Sequence, residues 1–156
     1  MKTAKRPAAK TNKPRRPAKK TCSKNDLKEI LHGYITAALW SSTDNSTESG
    51  GDPLDDNYGP DDVASSAVKS MRSDIARFVE KNWALILQYV QHREFRGGSV
   101  WEHLGHDFWL SRNGHGTGFF DRDYGGHREI GDKLQRAAEQ FGESSPYVGD
   151  DGKIYV

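Results

Sequence analysis

Between Gly105 and Asp121 the chain reads GHDFWLSRNGHGTGFFD, and with His103 just upstream this is where groups capable of chemistry crowd together. His103, His106, Asp107 and His115 could serve as acid–base groups or as ligands, since two imidazoles and one carboxylate make a workable metal set. Arg112 and Asn113 open RNGHGTG, a run in which glycine alternates with polar residues. The backbone amides of such a loop can cradle an anion, with Arg112 beside it. The spacing argues against both chemistries. His103-x-x-His106 is not the i, i+4 pair of a zinc-protease helix, and no cysteine supports it. The loop is followed by no Gly-Lys-Ser/Thr and preceded by no strand, unlike phosphate-binding and dinucleotide-binding loops. No serine or cysteine nucleophile with a fixed base is recoverable. His103, His106, Asp107, Arg112, Asn113 and His115 are therefore read as a candidate surface site. No metal or cofactor is assigned, and the balance leans away from an enzyme.

The elements that carry these residues follow from periodicity. On a helical wheel Trp101, Leu104, Gly105 and Phe108 share one side, with Trp109 at its edge, while His103, His106 and Asp107 share the other. This predicts a helix capped by Ser99 and running to about Ser111, its aromatics buried and its His and Asp turned to solvent. Glycines in 112–128 then supply positive φ, so that Phe119 and Phe120 return to the core. A further helix over 129–141, with Ile130, Leu134, Ala138 and Phe141 inward, stops at Gly142. The ending YVGDDGKIYV reads as a hairpin around a four-residue loop at 149–152.

Upstream, Leu27, Ile30, Leu31, Tyr34, Ile35, Ala38 and Leu39 recur at helical spacing and predict a first helix within 24–41, starting at Asn25 or Asp26. A long helix is expected after Pro60, capped by Asp61 or Asp62 and carrying Ala67, Met71, Ile75, Phe78 and Val79 inward. It should end at Gly97 and Gly98, although a break near Asn82 would split it into two. The class is thus mainly α (α+β): a helical body over 61–156 with a C-terminal hairpin. The first helix is set off from that body by an acidic flexible linker over 42–60.

Charge divides the chain more sharply than its net of +1 suggests. Residues 1–24 hold ten Lys and Arg and no acid, so the remaining 132 residues hold 13 bases against all 22 acids. Seven acids and no base fall within 42–62. The segment 1–23 has no large apolar residue after Met1 and is expected to be a disordered basic tail. Its Lys5, Arg6, Lys13, Arg15, Arg16, Lys19 and Lys20 are assigned to nucleic acid, bound without sequence preference through counterion release. Lys5-Arg6 with Arg15-Arg16 and Lys19-Lys20 also resembles a bipartite nuclear import signal. The lone Cys22 allows no intrachain disulfide, and no apolar run reaches 18 residues. The chain is read as cytoplasmic, with no membrane partner.

The segments GHDFWLSRNGHGTGFFDRDYG, IGDKLQRAAEQFG and YVGDDGKIYV, in that order, resemble a group of small uncharacterised proteins encoded by bacteriophages and other bacterial mobile elements. The likeness covers about 106–156, roughly a third of the chain, and leaves out the tail and linker. It implies an accessory protein acting in the cytoplasm of a bacterial host, where a nuclear address would have no use. It brings no catalytic residues with it. Three functions stay open: binding, with the tail adding nucleic-acid affinity; a metal- or phosphate-dependent enzyme centred on His103, His106, Asp107 and His115; and an interaction module that inhibits a host enzyme.

Overall fold

The computed structural model describes residues 21–156. Lys5, Arg6, Lys13, Arg15, Arg16, Lys19 and Lys20 lie outside the described residues. Four helices build the body: α1 (Lys24–Ser41), α2 (Ser65–His92), α3 (Val100–Arg112) and α4 (Arg128–Glu139). Two short antiparallel ladders join them, β1 (Thr43–Asp44) with β2 (Asp52–Pro53), and β3 (Tyr147–Val148) with β4 (Ile154–Tyr155). This is the mainly helical class with a terminal hairpin that the periodicity predicts. Among the described residues no helix is long and apolar enough to cross a membrane.

Local chemistry sets the boundaries. Ser23 starts α1 with a capping box: its hydroxyl accepts from the Asp26 amide at 3.1 Å, and the Asp26 carboxylate accepts from the Ser23 amide at 2.9 Å. α2 starts later than expected. Pro60–Asp62 forms a separate 3-10 turn, and the Asp62 carboxylate is turned back onto the Gly59 amide at 2.8 Å. The Ala64 amide then donates to the Ile154 carbonyl at 2.8 Å, so the hairpin holds this stretch extended before the helix can begin. α2 breaks at Asn82 (φ −118°, ψ 17°), whose side-chain amide donates to the Phe78 carbonyl at 2.8 Å. It ends at His92, short of Gly97, because the Glu94 amide is drawn away to the Asp123 carbonyl at 2.9 Å. The hairpin loop spans five residues, 149–153, one more than expected, closed by the Gly149 amide on the Lys153 carbonyl at 2.8 Å.

The stretch 42–60, expected to be a flexible linker, is folded against the body. Leu54, the one aliphatic side chain in it, is fully buried, and its amide donates to the Ser42 carbonyl at 2.9 Å. α1 is likewise no separate element. Ile30, Tyr34, Ile35, Ala38 and Leu39 lie in the same core as Phe78, Phe108, Trp109, Phe119 and Leu134.

α1 and α3 lie unusually close. An ideal Cβ on Gly33 would stand 2.0 Å from the Glu102 carbonyl oxygen, and one on Gly105 would stand 1.9 Å from the Ile30 oxygen. Each glycine thus faces the other helix's backbone, an approach only a residue without a side chain allows. Side chains pair at both ends of the contact, Ser99 donating to Glu29 near the starts and Trp109 Nε1 donating to Ser41 Oγ at 2.9 Å near the ends. The two helices therefore run side by side in the same sense. Between them Tyr34 packs on Phe108 and Trp109, with ring centroids 5.3 and 5.0 Å apart.

Gly33→Ala and Gly105→Ala should each destabilise the protein by about 3 kcal/mol or more, because a backbone carbonyl cannot swing aside as a side chain can. Gly114→Ala meets open space and only the strain of its φ of +64°, so about 1–2 kcal/mol is expected there. Urea unfolding of the three variants gives the comparison.

Candidate functional site

α3 carries most of the candidate site, and its four polar residues go to three different places. Asp107, expected on the solvent face, is 1% exposed. Its Oδ2 accepts from the Tyr89 hydroxyl at 2.8 Å and its Oδ1 from Arg122 Nε at 2.8 Å, while Arg93 Nε stands 3.6 Å from Oδ2. Two guanidiniums and a phenol around one carboxylate offset the cost of removing its charge from water. Burial, helped by the Asp107 charge, holds the Tyr89 hydroxyl well above the ordinary phenol range, so it stays a donor. Tyr124 is raised in the same way, and its hydroxyl donates to the Phe119 carbonyl at 2.8 Å. The wheel sets Asp107 opposite the aromatics, but the long α2 and the 119–124 turn close over that side of α3.

Arg112, expected to neighbour a bound anion, is 7% exposed and fully engaged. Its Nη1 donates to the Tyr34 hydroxyl at 2.7 Å and to Asp74 Oδ2 at 2.8 Å. Its Nε and Nη2 donate to the Gly142 and Phe141 carbonyls at 2.8 and 3.0 Å. One side chain thereby ties α1, α2 and α3 together and satisfies carbonyls just past the end of α4, where a cation is favoured. Burial pushes the Tyr34 hydroxyl up to about 12. Asn113 is also structural: its side chain donates to the Trp109 carbonyl at 2.9 Å and accepts from the Ser144 amide at 2.7 Å.

The glycine-rich loop behaves as a turn. Gly114, Gly116 and Gly118 take φ of +64°, +71° and +143°, and Phe119 returns to the core, where its amide donates to Ser111 Oγ at 3.0 Å. His115 stays exposed at the C-terminal end of α3, away from His103 and His106 near its start. Among the described residues no group of three or more His, Cys, Asp or Glu side chains is placed to hold a metal ion.

What remains of the candidate set is His103 and His106, and the fold gives them neighbours the sequence does not reveal. Because α1 lies against α3, His32 and Thr36 come alongside the two imidazoles, and Arg96 with Gly97 and Gly98 closes the far wall. Together they line a groove of about 310 Å3, with Glu102 as the one carboxylate in its lining. Its rims are aromatic. Trp40 stacks on His106 with centroids 5.9 Å apart, and its indole N–H donates to His106 Nε2 at 3.4 Å. Phe95 lies against His103 at 4.9 Å, and His103 Nε2 is 2.9 Å from the Gly97 carbonyl. Burial lowers the pKa of His106 below the ordinary 6.5, so its ring is neutral at pH 7 and free to accept from Trp40. His32, Thr36, Trp40, Phe95 and Arg96 went unmarked in the sequence. The signal that could have found them is Gly33 and Gly105, two glycines inside helical patterns that mark a close approach.

No protein-family model, no curated protein and no solved structure matches the chain.

Asp107→Ala should cost about 3 kcal/mol, since it takes the shared carboxylate from the Arg93 side chain, the part-buried Arg122 and the buried Tyr89 hydroxyl, and chemical denaturation measures it. His106 makes stability depend on pH in a defined direction. Its folded pKa is lowered, so its contribution is intact above 6.5 and falls away as the pH drops towards the folded value, where the unfolded imidazole takes the proton more readily. Melting temperatures from about pH 7.5 to about pH 5 should therefore fall more for the natural protein than for His106→Gln.

Proposed function

We propose that the chain is a binding protein, an accessory factor of bacteriophage or mobile-element type, whose basic N-terminal segment supplies nucleic-acid affinity without sequence preference. The observation that carries this reading is the distribution of charge that a partner could use. In the body, Asp107, Arg112, Arg122 and Asp74 are taken up by one another and by buried phenols. Residues 1–24, by contrast, hold ten bases and no acid. Cations that no neighbouring acid offsets attract phosphate, and the displaced counterions drive association. The resemblance of 106–156 to mobile-element proteins supports a bacterial cytoplasm as the setting.

The enzymatic reading loses its residue set. A centre made of His103, His106, Asp107 and His115 would need Asp107 turned outward and His115 at the other end of α3. An inhibitor of a host enzyme remains a form of the binding reading, and no particular contact favours it.

The test keeps the chain whole. Lys5, Arg6, Lys13, Arg15, Arg16, Lys19 and Lys20 are replaced by Gln, and affinity for a duplex of random sequence is followed by fluorescence anisotropy at several salt concentrations. The natural protein should lose about a thousandfold in affinity between about 50 and 200 mM salt if six or more phosphates are neutralised. The substituted protein should show a nearly flat dependence. A salt-independent affinity, or none, would sink the proposal.

A further inference from the structure

Four large apolar side chains stand out from the surface of the described residues, and two of them, Trp40 (42% exposed) and Phe95 (39%), flank the same groove. Neither completes the core. Each is held in place by an imidazole one helical turn from the other, Trp40 by His106 and Phe95 by His103. The rings thus form a row, Trp40, His106, His103 and Phe95, along the first half of α3. Arg96 and His32 stand on the walls of the groove beside it, and the Gly97–Gly98 backbone leaves one side unobstructed by side chains. Gly98 has only the Glu102 and His103 side chains within reach of an added Cβ, and Gly97 has nothing.

Resting on the proposed nucleic-acid reading, we infer that this groove binds single-stranded nucleic acid, unpaired bases stacking on Trp40 and Phe95 while Arg96 and His32 face the phosphate backbone. Partly exposed aromatic faces with an arginine beside them are features that single-strand binding uses. Base stacking is indifferent to sequence, which accords with a tail that reads no bases either. A duplex is a poor occupant, because its bases already stack on each other and offer only their edges. An acidic peptide could meet Arg96 and His32 but would leave both aromatic rims without a flat partner.

The experiment uses the full chain with a fluorescein-labelled oligothymidine and a blunt duplex of equal length, read by anisotropy at one salt concentration. Trp40→Ala and Phe95→Ala remove exposed rings, so both should fold, and their melting curves check this. Each should weaken oligothymidine binding about fivefold or more and leave duplex binding unchanged. His106→Gln serves as a second probe, because it releases Trp40 without removing the indole and should also lower single-strand affinity. If both alanine variants bind oligothymidine as the natural protein does, the groove inference falls, while salt-dependent duplex binding would leave the tail reading standing. If the natural protein binds neither nucleic acid, both fall. If poly-glutamate binds with Trp40- and Phe95-dependent affinity and oligothymidine does not, the groove is a peptide site and the inference is overturned.

Discussion

Two carbonyl oxygens, those of Glu102 and Ile30, occupy the space where side chains would stand on Gly33 and Gly105. This reciprocal backbone contact sets the separation of α1 and α3, and much else follows from it. Only at that spacing does Tyr34 reach both the Phe108 and Trp109 rings and the Arg112 guanidinium. Only there do His32 and Trp40, on α1, come beside His103 and His106 on α3. A larger residue at either glycine would push the helices apart, widen the groove and pull the phenol from its partner in a single movement.

Around this pair the body is fastened by two polar clusters, each built on a buried charge, on opposite stretches of α2. Asp74, in its first half, joins Arg112 and Tyr34; Tyr89 and Arg93, at its end, join Asp107 and Arg122. Removing both partners of such a pair can cost little, but removing one leaves a charge in a medium that solvates it poorly. Specific geometry is what these clusters contribute. Arg112 in particular reads the end of α4 through two carbonyls, so it fixes the position of that helix as well as its own.

Much of the fold was legible because its signals are local. Ser99 as a cap, the break at Asn82, Gly142 with its φ of +71° and the terminal hairpin all depend on residues within a turn of one another. The mistaken expectations share a different cause. Asp107 is expected on a surface because a helical wheel gives an angle but not the element that covers it, and Arg112 because it opens a glycine-rich loop. Their partners are 15, 18, 38 and 78 residues away. The 42–60 stretch looked like a linker because its composition is acidic and its one aliphatic anchor, Leu54, leaves no period. The groove could not be seen for the same reason as the clusters: His32 and His103 meet only across the α1–α3 contact.

The break at Asn82 also settles a matter of size. A straight helix of 28 residues is about 42 Å long, somewhat more than the roughly 36 Å diameter that goes with a radius of gyration of about 14 Å. Unbent, α2 would be slightly longer than the body it packs on. The kink divides that length in two, and buried side chains run on both sides of it, from Ala67 to Val79 before it and at Ile86 and Tyr89 after it.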